Sequence, residues 1–241
     1  MTLPLLLVAG LILLGSVIQG SIGFGLGMVV SPALVLIYPE QMPGVMIMLG
    51  GAISVAVLAS EWRSIDWPGF GWALLGRLPG LVLGAWLVVI ASQALLSIFV
   101  GLAVVIAAVL QGSRWQIPKH RSTLVAAGFV SGTTGTVSGV GGPPVAMVYA
   151  GEPGPQVRAT LSAYFIVGTA TSLLILGVVG KVHQDQLGLA LTLLPALLLG
   201  TVLARPLARF LDSGYTRRAI LVLAGVAGAL LVVSNLLVLG Y

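Results

Sequence analysis

Long apolar runs alternate with short polar interruptions along the whole chain. The runs fall at residues 3–38, 43–60, 68–90, 93–111, 122–150, 156–180, 187–208 and 216–239. About 20 apolar residues in helical form cross the roughly 30 Å hydrocarbon core of a bilayer. The pattern therefore predicts an all-α polytopic membrane protein. The alternating segments of about ten residues that build a transmembrane barrel do not occur. The opening stretch MTLPLLLVAG has no basic region and no small-residue cleavage site, so it reads as a first membrane segment, not a removed signal peptide.

The connections are short. The longest polar one, QGSRWQIPKHRS, covers residues 111 to 122 near the middle. It divides the chain into a first transmembrane repeat at 1–112, a cytoplasmic linker at 113–121 and a second repeat at 122–241. The two parts share a register. At an offset of 112, Gly20, Gly23, Gly27, Pro32 and Pro43 fall on Gly132, Gly135, Gly139, Pro144 and Pro155; at 116, Pro79 falls on Pro195 and Gly84 on Gly200. Three prolines matched in order indicate an internal duplication.

Charge bears on its topology. If 3–38 and 122–150 each cross once, five Lys and Arg residues fall on either side and no orientation results. If each is a hairpin that enters and leaves on one side, Arg63, Arg114, Lys119, Arg121, Arg158, Arg205, Arg209, Arg217 and Arg218 share a face, against Lys181 opposite. The positive-inside rule favours the hairpins. Trp62, Trp67 and Trp115 fall on the same face, as an interfacial belt does. Each repeat then holds a re-entrant, broken helical hairpin and three transmembrane helices. The odd number of crossings makes the repeats inverted, with both termini outside.

The hairpins hold the helix breakers. Residues 15–32, GSVIQGSIGFGLGMVVSP, carry five glycines, and residues 131–144 read SGTTGTVSGVGGPP. Backbone freed in hydrocarbon costs several kcal/mol per group unless it is buried in protein or lines a wet cavity. The expectation is a turn near Gly20–Gly25 with a half-helix from Leu26, and another near Thr133–Ser138 with a half-helix from Gly139. The turns meet near midplane, where two helix N-termini and nearby hydroxyls receive an anion. The candidate substrate-binding residues are Ser21, Gly23, Phe24, Gly25, Gly27, Arg77, Thr133, Thr134, Gly135, Ser138, Gly139, Gly141 and Gly142. Against this stands plain helix packing. Gly23 and Gly27, Gly128 and Gly132, and Gly135 and Gly139 all fit GxxxG, and Gly76, Gly80 and Gly84 form a packing ladder. Arg77 lies near mid-depth beside Pro79. It either serves function, snorkels, or pairs with a carbonyl that the proline frees. Arg158 either guards the cytoplasmic mouth or sets topology.

Composition narrows the chemistry. Hydrophobic residues make up 58% and charged ones 7%; mean hydropathy is +1.13. The net charge of +5 sits mostly between apolar runs and suits a membrane face, not nucleic acid. With no cysteine there is no disulfide or thiolate site. No metal-ligand spacing, HExxH, GxSxG or phosphate loop occurs, so neither a cofactor nor an enzyme activity is expected. All six carboxylates, Glu40, Glu61, Asp66, Glu152, Asp185 and Asp212, fall at helix ends or in loops. The glycine ladders permit a homodimer.

Three stretches, GSIGFGLGMVVSPAL at 20–34, GFVSGTTGTVSGVGGPPVAMVYA at 128–150 and VRATLSAYF at 157–165, resemble the sulfite exporter TauE/SafE family over nearly the whole chain. The first lacks the run of consecutive glycines that many members show. The resemblance implies an inner-membrane permease that exports small anions, often sulfur oxyanions or organosulfonates. Outward movement from a negative interior gains an anion about 2.3 kcal/mol per charge per 100 mV, so export needs no coupling ion. An anion channel on the same scaffold, or a non-transporting membrane scaffold, are the competing readings.

Overall fold

Among the described residues, ten α-helices emerge where the apolar runs predict them. The computed structural model describes residues 2–113, 117–211 and 214–239. The helices are α1 (Leu3–Ile22), α2 (Leu26–Ile37), α3 (Gly44–Glu61), α4 (Trp67–Ile90), α5 (Gln93–Gly112), α6 (Arg121–Ser138), α7 (Gly142–Val148), α8 (Gly154–Val178), α9 (Gln184–Leu211) and α10 (Gly214–Leu239). No strand occurs among the described residues. By length and composition α1, α3, α4, α5, α8 and α9 are long and apolar enough to cross a membrane. Large apolar side chains such as Leu174, Val178, Val202 and Leu223 stay exposed, as a lipid-facing surface requires.

Local chemistry sets the helix ends. Asp66 caps α4 by accepting from Gly69 N–H, and Ser92 caps α5 by accepting from Leu95 N–H. Gly23 and Gly139 end α1 and α6 in the left-handed region, at φ 93° and 70°. Other residues rarely adopt that conformation. These two caps correct the register and one boundary. They lie 116 positions apart, as do Gly25 and Gly141, so the 116 spacing of Pro79 and Pro195 holds at the hairpins too. The 112 spacing does not align these caps, but it pairs Pro43 with Pro155, which stand at the starts of α3 and α8. Residues Thr133–Ser138, expected as the second turn, are the last helical turns of α6, and the break lies at 139–141.

Both long runs are hairpins. The start of α1 and the end of α2 pack in one cluster, where Val8 and Leu34 join Val45 of α3 and Ala190 of α9. On this face Gln41 Nε2 donates to Asp185 Oδ2 at 2.7 Å and Gln93 Nε2 to Pro39 O at 3.2 Å. The base of the second hairpin lies on the opposite, basic face. There Lys119, just before α6, pairs with Asp66 and Glu152 at 2.9 Å each. Tyr149, which ends α7, donates its hydroxyl to Asp66 Oδ2 at 2.9 Å. The hairpins therefore enter from opposite faces. Arg63, Lys119, Arg121 and Arg158 belong to the basic face. Arg114 and Trp115 lie outside the described residues, as do the side chains of Arg205, Arg209, Arg217 and Arg218.

The packing repeats under exchange of α1–α5 with α6–α10. The main seams are α1 on α9 and its counterpart α6 on α4; α3 on α8 and α5 on α10 are their own counterparts. Glycines make these seams close. A Cβ on Gly76 or Gly80 would strike Val125 O or Phe129 O, and one on Gly128 would strike Ala73 O. The ladder is thus a packing feature, as are Gly128 and Gly132. Lipid is as apolar as leucine, so helices here associate through such close approach and not through the hydrophobic effect.

Two outcomes follow. Gly128→Leu should cost about 1–3 kcal/mol or more by forcing α4 from α6, read as a lower melting temperature in detergent. Gly10→Ala, with nothing within 4 Å, should stay within about 0.5 kcal/mol of wild type. At the basic face, burial pushes the Asp66 carboxyl up, but the Lys119, Tyr149 and Gly69 contacts outweigh it and hold the pKa below its usual value. A depressed carboxyl stabilises the fold above its unfolded value and loses that effect as pH falls through the folded one. Asp66→Asn should therefore cost about 1 kcal/mol at neutral pH, and its gap to wild type should close in acid, starting near pH 4.

Candidate functional site

The two hairpin tips pass side by side instead of meeting end on. Gly27 of α2 lies so close to Gly139 that a Cβ there would strike the Gly139 carbonyl. Gly142 of α7 leaves no room for a Cβ against Phe24. Ser31 Oγ donates to Ser138 O at 2.7 Å across the same contact. The first tip reaches Arg158 of α8 and the second reaches Met46 of α3.

The freed backbone is satisfied by polar side chains. Leu26 N–H, the first of α2, donates to Gln19 Oε1 at 3.2 Å. Ser131 Oγ donates to Gly141 O, and Val140 N–H donates to Ser138 Oγ at 3.2 Å. Such partners within the protein are the condition for irregular backbone away from water.

Beside the tips lies a cavity of about 50 Å³, several times the roughly 10–15 Å³ one water needs. Of the expected residues, Phe24, Gly25, Gly27, Arg77, Gly135, Gly139, Gly141 and Gly142 line it. The others do not. Ser21 Oγ bonds Val17 O and Ala204 O, and Gly23 caps α1 against Arg158. Thr133 Oγ1 joins Gly80 O and Phe129 O at 3.1 Å in the α4–α6 seam. Thr134 turns back to Val130 O, and Ser138 serves the tip backbone. Sequence reasoning missed Gln19, Met28, Met46, Phe165 and Thr169. Gln19, a lone amide in an apolar helix four residues before its cap, carried a readable signal; the rest belong to no motif.

Arg77 dominates the electrostatics. It is 3% exposed, so it does not snorkel. Its Nε and Nη1 are buried with no hydrogen-bond partner, so it does not pair with the carbonyl freed by Pro79 through them. The guanidinium lies over the Tyr164 ring at 4.9 Å, and Tyr164 Oη donates to Gly128 O at 3.3 Å. A Cβ on Gly168 would fall on the guanidinium itself. The cavity thus holds a buried cation beside the starts of α2 and α7. At each tip a helix C-terminus and the next N-terminus stand close together, which weakens the field of either. Leu26 N–H is taken by Gln19, and Pro143 and Pro144 of α7 have no N–H, which leaves the first-turn N–H groups of Gly27, Met28 and Gly142, residues that line the cavity.

Arg158 is paired. Its Nη2 meets Glu61 Oε1 at 2.6 Å, its Nε meets Oε2 at 2.9 Å, and Nη1 donates to Ser21 O at 3.2 Å. It joins α8, α3 and the first tip at the basic face.

The model of the sulfite exporter TauE/SafE family matches residues 7–231. The chain is 26% identical to the probable sulfite/organosulfonate exporter TauE of Cupriavidus necator, over 95% of this chain and 94% of that one. No solved structure matches.

Gln19→Leu should remove the acceptor of Leu26 N–H and lower stability by about 1–3 kcal/mol, measured by thermal unfolding in detergent.

Proposed function

Since the chain belongs to the sulfite exporter TauE/SafE family and is a membrane transporter, we propose that it exports a small anion, a sulfur oxyanion or organosulfonate, bound between the hairpin tips against Arg77. One observation carries this reading: a guanidinium with two nitrogens unpaired, buried in the middle of a bundle and facing a cavity. An Arg at the centre of a membrane helix costs roughly 2.5–3.5 kcal/mol even on the most lenient scale. An anionic ligand offsets that cost, and no carboxylate lines the cavity among the described residues. The printed name of the Cupriavidus relative supports the sulfur anion class.

The direction follows from the potential. The basic face is cytoplasmic by the positive-inside rule, so the termini are periplasmic, in a bacterial inner membrane. The two repeats, 1–112 and 122–241, are joined by a cytoplasmic linker at 113–121; the exchange pattern of the seams supports this division. With no coupling carboxylate at the cavity, the membrane potential drives the anion outward.

The test is Arg77→Gln in proteoliposomes. Sulfite counterflow should fall by about a hundredfold or more, from the loss of a charged hydrogen-bonding partner. The melting temperature without ligand should hold or rise, because an uncompensated buried charge is gone. Unchanged flux in a folded variant would overturn the reading.

A further inference from the structure

We propose that the cavity selects anions by charge number and admits those with a single net negative charge. The inference rests on the transport reading above and adds a rule to it. Among the residues that line the cavity, Arg77 is the one charged group. From the elements packed around it, α1 contributes the Gln19 amide and α8 the Thr169 hydroxyl; Tyr164 of α8 faces the guanidinium with its ring. The lining from α2, α3, α6 and α7 is apolar or glycine. No acid, histidine or second base faces Arg77 from any of these elements.

Charged side chains at the basic face are engaged with one another, in a pair and in a triad with a single net negative charge. Arg158 is closed on Glu61, and Lys119 stands between Asp66 and Glu152 at the basic face. Arg77 is therefore the one full charge inside the cavity. A monoanion makes a neutral pair with Arg77 in a low-dielectric surround. A dianion leaves one negative charge buried and unmatched, which membrane interiors and buried ion pairs both penalise heavily.

Gly168 makes Arg77 a fixed counter-charge. The guanidinium lies on the Gly168 backbone with its face on Tyr164, and any side chain at 168 would displace it. Its Nε and Nη1 have no hydrogen-bond partner in the protein. An oxyanion that exists as both a mono- and a dianion near neutral pH then travels in its protonated form. Each such ion carries one proton out, with no titrating group on the protein.

Methanesulfonate and sulfate test this directly, because they share a tetrahedral shape and differ by one charge. In wild-type proteoliposomes at fixed voltage, methanesulfonate should move on the order of a hundredfold faster than sulfate. Sulfite flux at constant total concentration should rise as pH falls, tracking the hydrogen sulfite fraction, while methanesulfonate flux stays flat. Sulfate moving as fast as methanesulfonate, or sulfite flux that ignores pH, would overturn the charge rule and leave the transporter reading intact. If none of the three anions moves, the transporter reading fails and the rule falls with it. Thr169→Lys gives an independent check: a second cation at the cavity should narrow the methanesulfonate preference over sulfate. Should that variant not fold, the wild-type comparison still decides.

Discussion

Every peptide group released inside the bilayer must find a partner in the protein, and that constraint organises the centre of this molecule. Two hairpins break their helices at depth. Gln19, Ser31, Ser131 and Ser138 supply the bonds that water would supply elsewhere. Because these partners sit on the helices around the tips, neither hairpin tip is satisfied by its backbone alone. The Ser31 bond to Ser138 O makes each hairpin part of the other's environment.

Close packing follows from the same solvent. Where oily side chains gain nothing by leaving lipid, contact has to come from fit. The α4–α6 seam achieves this by glycine against backbone carbonyl, and α1–α9 repeats the device with Gly200 on Leu13 O, while Gly20 closes on the Ala204 methyl. The seams anchor the outer arm of each hairpin to the opposite half of the chain. Arg77 stands where one seam meets the cavity, so its helix is held by the frame and its charged end is left to the interior.

Much of this was legible in the residues. Apolar run length gave the helices, and the excess length of 3–38 and 122–150 together with loop charge gave the hairpins. Glycine density located both tips, the first to within a residue or two. The second was placed too early because SGTTGTVS reads as a turn, whereas the hydroxyls of Thr133, Thr134 and Ser138 bond carbonyls of their own helix or of α4 and leave it intact. The site was legible in part. Glycines that let backbones touch are visible in sequence, but a cavity wall of Met, Phe and Thr from distant helices is not, since side chains of those types occur throughout.

Duplication gives the scaffold near-equivalence of its halves, yet the guanidinium exists in only one. At the 116 spacing that aligns the caps, the counterpart of Arg77 is Leu193, packed in an apolar cluster beside Val8 and Ile12. The pattern of seams repeats between the two halves, but the cavity wall does not: one half brings a charged side chain where the other brings an apolar one.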